Sequence, residues 1–384
     1  MRNEARRLAA RFAARAAATD RDGTFPVDDF ADLRAAGFFG LMVPARLGGA
    51  GAGFAEYAEV AYELARGNGA TALIFNMHAS VTGALSGVTD ELAEALGLPP
   101  EALEARDSHL KAAAGGSWFA VAMSERGAGS RLSRLTTSYE PVDGGYRITG
   151  AKTFCSGAGH ADAYLIAARS AADPTQVSQF LVPAGDGLRV EPTWDALGMR
   201  ATSSHDLHVD VTVPASALLG GVEGLALVVA QLAPHWMVAS YAAVYVGVAR
   251  AAVDAAVEHV KARGLAGLPA VRARVGRADA AVAAAHLTVR EAARRVDEAP
   301  GDAETNRWVW RAKLLAGTTA AEVTASMLEA AGTSAMRRGH PLERLYRDAR
   351  AGSLQPATSD VCADWLGVDA LGGDPDADGS APRW

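Results

Sequence analysis

Two short stretches set hydroxyl groups on tight glycine turns: "AMSERGAGSR" from Ala122 to Arg131, and "TFCSG" from Thr153 to Gly157. The first offers a backbone edge at Met123, a hydroxyl at Ser124, and a glycine turn through Gly129 that ends in Ser130. The second sets Phe154 two residues before Ser156. Hydroxyls and free backbone edges can hydrogen-bond the polar rim of a flat heteroaromatic ligand while an aromatic ring lies against it. Serines in such turns otherwise serve only as caps. Other reactive residue types are sparse. Cys155 and Cys362 lie far apart in the sequence, which is no disulfide framework and too few for a structural zinc, so a reducing cytoplasm is the expected compartment. His78 has no partner at metal-ligand spacing and reads as packed or pocket-lining, so no metal is expected. "RLGGAGAG" from Arg46 lacks the Gly-Lys-Ser/Thr ending of a phosphate loop and reads as a turn.

Composition bounds the rest. The 384 residues are 49% apolar and 21% charged, ordinary for a globular chain of two or three domains. A net charge of -7 argues against nucleic acid as a partner, because phosphate binding needs a positive face. The start, "MRNEARRLAARFAARAAATD", has no uninterrupted apolar segment and does not read as a secretory signal. From Gly224 to Ala249 the chain is long and apolar enough to span a bilayer. Gln231, Pro234, His235 and Ser240 interrupt it, however, so it reads as a helix packed inside a bundle or subunit interface, not a membrane span.

The elements that must hold the two turns follow from periodicity. Residues 1–115 read as helices, with Phe30, Leu33, Gly37 and Leu41 at helical spacing and Asp28 as N-cap. Residues 116–222 carry short runs rich in β-branched and aromatic residues, separated by Gly, Pro and Asp, which predict an antiparallel sheet or barrel. No dinucleotide fingerprint follows any strand, which argues against a Rossmann unit. Residues 223–368 read as a four-helix bundle whose first helix runs from Gly224 to Ala249. Residues 369–384 are rich in Gly, Asp and Pro and read as a disordered tail. The expected fold class is α+β, mainly α.

Four stretches in this order resemble the acyl-CoA dehydrogenase superfamily: "AMSERGAGSR", "YRITGAKTFCSGAGHADAYL", "WDALGMRATSSHDLHVDVTVP" and "HPLERLYRDARAGSL". The resemblance covers nearly the whole chain and implies a flavoenzyme with its flavin between the β-domain and the bundle. It places Met123 and Ser124 near the pyrimidine edge of the flavin, Gly129 and Ser130 near a phosphate, Phe154 beside the ring and Ser156 near its reactive nitrogen. Arg263, Gly332 and Thr358 complete the implied cofactor set, with the turn at Gly332 reaching the dinucleotide end, often across a subunit boundary. The sequence departs from the family at Arg126 (usually Pro), Arg131 (Asp), Phe154 (Trp), Ser156 (Thr) and Glu329 (Gln). FAD is the expected cofactor and FMN the alternative. An anionic Glu329 near phosphates requires displacement or pairing.

The larger departure lies in "SLQPATSD". The family's catalytic glutamate, which removes the substrate's α proton, falls on Pro356, and the second place used by some relatives falls on Met237. Neither can act as a base. Asp360, His235 and His340 are the remaining candidates. Three readings follow: oxidation of an acyl thioester by an atypical route, oxygenation with reduced flavin and O2, or a flavin-binding or scaffold protein without turnover. The implied partners are a thioester on CoA or on an acyl carrier protein, a flavin reductase for the oxygenase reading, and further copies of the chain in a homodimer or homotetramer. Pro356 also restricts Gln355 to an extended conformation, so the final helix is expected to begin at Thr358 or Ser359, with one of them as N-cap and Asp360 in the first turn.

Overall fold

The computed structural model describes residues 1–375. The N-terminal part is helical. α1 (Arg2–Asp22) buries Ala5, Leu8, Phe12 and Ala16 along one stripe and stops at Gly23, whose φ of 63° no β-carbon-bearing residue adopts cheaply. α2 (Val27–Ala35) is shorter than its apolar spacing implied. Gly37 takes a left-handed φ of 74°, and a 3-10 turn at Phe38–Gly40 follows, so Leu41 lies beyond the helix. Its N-cap position is Pro26, and Asp28 sits inside the first turn instead. α3 (Phe54–Gly67) and α4 (Gly69–Gly87) are separated by Asn68, whose side chain caps α4 by accepting from the Ala70 amide at 3.1 Å. α5 (Asp90–Ala95) and α6 (Pro100–Ala114) complete this part.

Seven strands follow: β1 (Phe119–Ala122), β2 (Ser138–Val142), β3 (Gly145–Cys155), β4 (Ala163–Ser170), β5 (Val177–Pro183), β6 (Leu188–Glu191) and β7 (His205–Pro214). They form one sheet in the order β1-β4-β2-β3-β7-β6, with β5 also paired to β4. The sheet is mixed, which corrects the wholly antiparallel expectation. β4 runs parallel to both β1 and β2, because the chain between β1 and β4 closes its own β2–β3 hairpin before returning. That crossover holds a 3-10 turn at Leu132–Arg134 and the β2–β3 hairpin but no α-helix, so it is not a Rossmann unit.

The last part comprises α7 (Leu225–Leu232), α8 (Ser240–Ala262), α9 (Pro269–Glu298), α10 (Ala303–Ala331), α11 (Pro341–Ala349), α12 (Ala351–Leu354) and α13 (Ser359–Ala370). The helix expected from Gly224 to Ala249 is broken. α7 ends before Pro234, which supplies no amide hydrogen and disfavours helix at Ala233, and a 3-10 turn at Pro234–Trp236 re-aims the chain into α8. Of the most apolar 18-residue stretch within Pro234–Ala262, 78% is buried inside the protomer. The apolarity of that part is spent on packing within one chain, whereas Val228 and Val229 of α7 stay exposed. Gly247 shows how close the packing is: a β-carbon there would lie 2.5 Å from the Tyr62 carbonyl oxygen of α3. Of the expected tail, Asp369 and Ala370 belong to α13, and Asp369 accepts from Arg307 at 3.0 Å; residues 376–384 lie outside those described.

Candidate functional site

The two glycine turns meet at the end of β3, where the Thr153 amide donates to the Ser124 carbonyl. The register of β3 with β7 shifts between Lys152 and Cys155, and Phe154 takes a φ of 57°, an outlier for a bulky residue. The bulge turns the Phe154 ring out of the sheet, leaving it 62% exposed and edge-on to Trp194 at 6.0 Å. Beside it opens a cleft of about 450 Å³ in which Gly127, Gly129, Phe154, Trp194, Ser204 and Asp206 are among the lining residues. An exposed aromatic at a strained position, over a cleft floored by glycines, suits a flat ring.

Electrostatics fix the floor of that cleft. Glu125 is buried and accepts from Lys152 Nζ at 2.7 Å, from the Thr136 amide and hydroxyl at 2.6 Å each, and from the Thr137 amide at 3.0 Å. Burial alone would raise its carboxyl, but the Lys152 ammonium and the threonine donors outweigh it and bring it to about 2. This pair clamps the glycine turn to β3, and the Thr153 amide adds a bond to the Ser124 carbonyl at 2.9 Å. Arg126 reaches back to Asp206 at 2.7 Å, and Asp206 also accepts from the Thr153 hydroxyl at 2.7 Å. Sequence reasoning missed Lys152, Trp194 and Asp206; a lysine in an otherwise half-buried strand, "GAKTF", was the one signal available.

The predicted hydroxyls differ in their partners. Ser124 and Ser130 make no side-chain hydrogen bond among the described residues. Ser156 is buried and joins a chain of hydroxyls, at 3.0 Å to Ser204 and from there at 2.7 Å to Thr202. The Met199 amide on the same turn donates to Asp348 Oδ1 at 2.6 Å, tying the β-domain end of the site to α11. α11 continues through α12 to Pro356, so the cleft and the segment of the absent glutamate are held by one set of contacts.

None of the three candidates, Asp360, His235 and His340, is placed as a base at that segment. Gln355 is extended, with φ -66° and ψ 144°, and Thr358 caps α13 by accepting from the Val361 amide at 3.3 Å, as its sequence implied. Asp360 sits in the first turn of α13 and faces solvent. His235 is 4% exposed, lies edge-on to Phe54, and is pushed down to about 4 by burial. His340 caps α11, its Nδ1 accepting from the Leu342 amide at 3.2 Å while Nε2 meets His259 at 3.1 Å; burial and that neighbour lower it. His78 is a packing residue: Nε2 donates to the Phe39 carbonyl at 2.8 Å, Nδ1 accepts from the Phe119 amide at 3.0 Å, and burial brings it to about 4. Met237 is half-buried at the approach to α8.

Arg263 and Gly332 end α8 and α10, near the His259–His340 pair. They lie at the opposite end of α8 from Met237, roughly 35 Å away for a helix of that length. Neither is among the residues that line the cleft. Glu329 is paired, with Arg274 at 2.5 Å.

Residues 1–96, 120–212 and 239–359 match the N-terminal, middle and C-terminal domains of acyl-CoA dehydrogenase. The chain is 32% identical to L-evernosamine nitrososynthase of Micromonospora sp., over 96% of this chain and 89% of that one. It is 28% identical to 3-sulfinopropanoyl-CoA desulfinase of Advenella mimigardefordensis, over 94% and 90%. Among solved structures, KijD3 in complex with FMN and a dTDP-linked 3-amino-4-keto sugar superposes with a TM-score of 0.84 at 28% identity, covering 97% of this chain and 93% of that one. With all three domains matched and both chains spanned almost completely, this protein belongs to the acyl-CoA dehydrogenase superfamily of flavin-dependent oxidoreductases.

Proposed function

We propose that this flavoenzyme oxidises its substrate without abstracting an α proton, and that its reaction is oxygenation of a small nitrogen or sulfur nucleophile by reduced flavin and O2. The observation that carries this is the absence of an acid–base group at both base positions: Pro356 and Met237 stand there, Asp360 faces solvent, His235 is buried among aromatics, and His340 caps a helix. A thioester's α proton is weakly acidic, and its removal without a positioned base is slower by orders of magnitude. A nucleophilic amine or sulfide needs no such step. The nitrososynthase and KijD3 likenesses support the same reading.

The cofactor in this proposal is flavin, as FAD or FMN. Phe154 and Trp194 would flank the ring, Ser124 and the Met123 backbone would meet its pyrimidine edge, Ser130 with Gly129 would meet a phosphate, and Ser156 would address its reactive nitrogen. When bound, flavin supplies the two-electron chemistry; the chain's own contribution is to orient it and to exclude water. Gly332 and Arg263, at the far end of the bundle, would reach it from another copy of the chain, as in a homodimer or homotetramer, and Thr358 would do so from α13. An oxygenase also requires reduced flavin from a reductase.

Thioester oxidation by an atypical route is the second reading, supported by the likeness to a desulfinase that bears a CoA substrate in its name. The thioester could reside on CoA or on an acyl carrier protein. Anaerobic mixing with a panel of thioesters separates the two: bleaching of oxidised flavin without oxygen establishes dehydrogenation and overturns the oxygenase reading. Substrate-dependent oxygen uptake with pre-reduced flavin establishes it.

A further inference from the structure

Three hydroxyl groups stand in a row at the edge of the Phe154 cleft. Ser156 Oγ is 3.0 Å from Ser204 Oγ, which is 2.7 Å from Thr202 Oγ1, and Thr202 Oγ1 is 2.9 Å from the Met199 carbonyl oxygen. Ser204 lines the cleft, Ser156 beside it keeps 7% of its surface, and Thr202 is fully buried. Capping explains only the last of the three. Thr202 bonds a main-chain oxygen three residues back, a common turn contact, whereas Ser156 and Ser204 bond no backbone group among the described residues.

The segment that carries two of these hydroxyls is held in a costly conformation. Met199 and Ser203 take left-handed φ values of 52° and 46° on either side of a 3-10 turn at Arg200–Thr202. Non-glycine residues keep such values only where their surroundings over-determine them. Here the Gly157 amide donates to the Thr202 carbonyl at 2.8 Å and the Ala158 amide to the Ser203 carbonyl at 3.2 Å. The turn is thereby fastened to the one that bears Ser156.

The row can be polarised in either direction. With every hydrogen pointing inward, from Ser156 through Ser204 and Thr202 to the Met199 carbonyl, all three links are made and Ser156 offers a lone pair. With every hydrogen pointing outward, Ser156 offers its hydrogen instead. The Met199 carbonyl then loses one donor but keeps the Thr202 amide and Trp194 Nε1, each at 3.1 Å. Neither direction strands a buried donor.

We propose that Ser204 and Thr202 are positioning residues that let Ser156 reverse its hydrogen bond to the flavin's reactive nitrogen, donating to it in oxidised flavin and accepting from its hydrogen in reduced flavin. This rests on the placement of Ser156 beside that nitrogen, and it deepens the proposed function by naming what holds the reduced flavin ready for O2. Hydrogen bonds to a cofactor's ring nitrogens tune its electronics. A serine that accepts from the nitrogen must lodge its own hydrogen elsewhere, and Ser204 is the acceptor at hand. Ser204 passes its hydrogen to Thr202 in turn, and Thr202 to the Met199 carbonyl. Removing the row penalises the reduced flavin alone.

The test measures oxidised-flavin affinity by fluorescence and the midpoint potential of the bound flavin by anaerobic dye equilibration. Ser204→Ala should bind oxidised flavin as the natural protein does, which also shows that it folds, and reduced flavin about tenfold more weakly. For a two-electron couple that lowers the potential by about 30 mV. Thr202→Val should shift it the same way by less, because Ser204 can turn its hydrogen to the cleft, and Thr202→Ser should restore the natural value. In a Ser156→Ala background, Ser204→Ala should shift nothing. An unchanged potential in Ser204→Ala, or equal weakening of both redox states, overturns the proposal. Ser156→Ala with natural affinity and potential overturns it differently, by removing Ser156 from the flavin. The oxygenase reading fails separately, by anaerobic bleaching with a thioester, and that result leaves the potentials untouched.

Discussion

Lys313 Nζ donates to the Gly352 carbonyl at 2.8 Å, four residues before Pro356, and has no carboxylate partner among the described residues. It is a fully buried ammonium group held by one neutral acceptor, and burial brings it down to about 8. Gly317 makes room for this contact, since a β-carbon there would lie 2.8 Å from the same carbonyl oxygen and 2.9 Å from Ser359 Oγ. Helix α10 therefore fixes the stretch in which the family keeps its base.

Lys313→Met should accordingly change global stability little at pH 7, by about 1 kcal/mol, because one hydrogen bond is exchanged for the relief of a buried charge. Amide exchange across residues 351–358 should nonetheless rise. The sign with pH is fixed. The folded group titrates near 8 and the unfolded one near its ordinary value, so between them the unfolded chain holds more protons and folding is favoured as pH rises. The wild type should gain on Lys313→Met from pH 8 to 10, read by urea unfolding. A parallel stability curve for the two proteins would refute the burial argument.

Glu125 and Lys152 form the opposite case, a buried charge pair with its partners in place. Lys152→Met leaves the Glu125 carboxylate without its counter-charge and should cost about 3–5 kcal/mol. Adding Glu125→Gln should recover a large part of that loss, since the stranded charge is then gone. Denaturant melts of the two single variants and the double give the coupling directly. Additive losses would show that the pair does not act as a unit.

Acid should destabilise the fold through His78 and His235. Both are held near 4 by burial, below the ordinary value for histidine. Between pH 6.5 and 4 the unfolded chain takes up protons that the folded chain refuses, so stability is lost as pH falls through this range. Each histidine accounts for roughly 2 kcal/mol by pH 5. His235→Gln should remove about 2 kcal/mol of the drop between pH 7 and pH 5. An unchanged drop would place the acid sensitivity elsewhere.

Flavin affinity should track the outward turn at Phe154. Ser124→Ala and Ser156→Ala are each expected to weaken flavin binding about fivefold, the worth of one neutral hydrogen bond of about 1 kcal/mol. Phe154→Ala should do so more strongly by removing the ring that the bulge exposes. Fluorescence quenching on flavin titration measures all three. Unaltered affinity and spectrum in the serine variants would remove both from the site.

The order of helices, strands and helices was legible because periodicity changes sharply near residues 116 and 223, and the cap at Thr358 because proline holds Gln355 extended and a threonine two residues beyond it is a good N-cap. At Pro234 the sequence showed the interruption, but the apolar run resumes beyond it, so a single helix was still expected. The parallel pairing of β4 depends on strands far apart in sequence, which alternation cannot report. The same holds for contacts that build the site. Met199 meets Asp348, and Asn76 meets Tyr57 across two helices, with no local pattern announcing either. Residue type marked the glycine turns and the missing base, whereas the orphaned Asn76 amide exists only once the helices are packed.

The missing base is itself testable. Pro356 is half-buried two residues before the cap of α13, at the position where the resemblance puts the family's acid. Pro356→Glu restores a carboxylate and also frees Gln355 from the restriction proline imposes. The variant should raise exchange of the α hydrogens of a bound thioester for deuterium by about 100-fold, the usual scale of general-base assistance, measured by NMR on butyryl-CoA. The natural protein should exchange them slowly and dehydrogenate simple acyl-CoA thioesters slowly or not at all. Asp360→Asn should change neither rate, since that carboxylate faces solvent on the outer turn of α13. Brisk dehydrogenation by the natural protein, or its loss in Asp360→Asn, would mean that the base had moved along the helix and had not been lost.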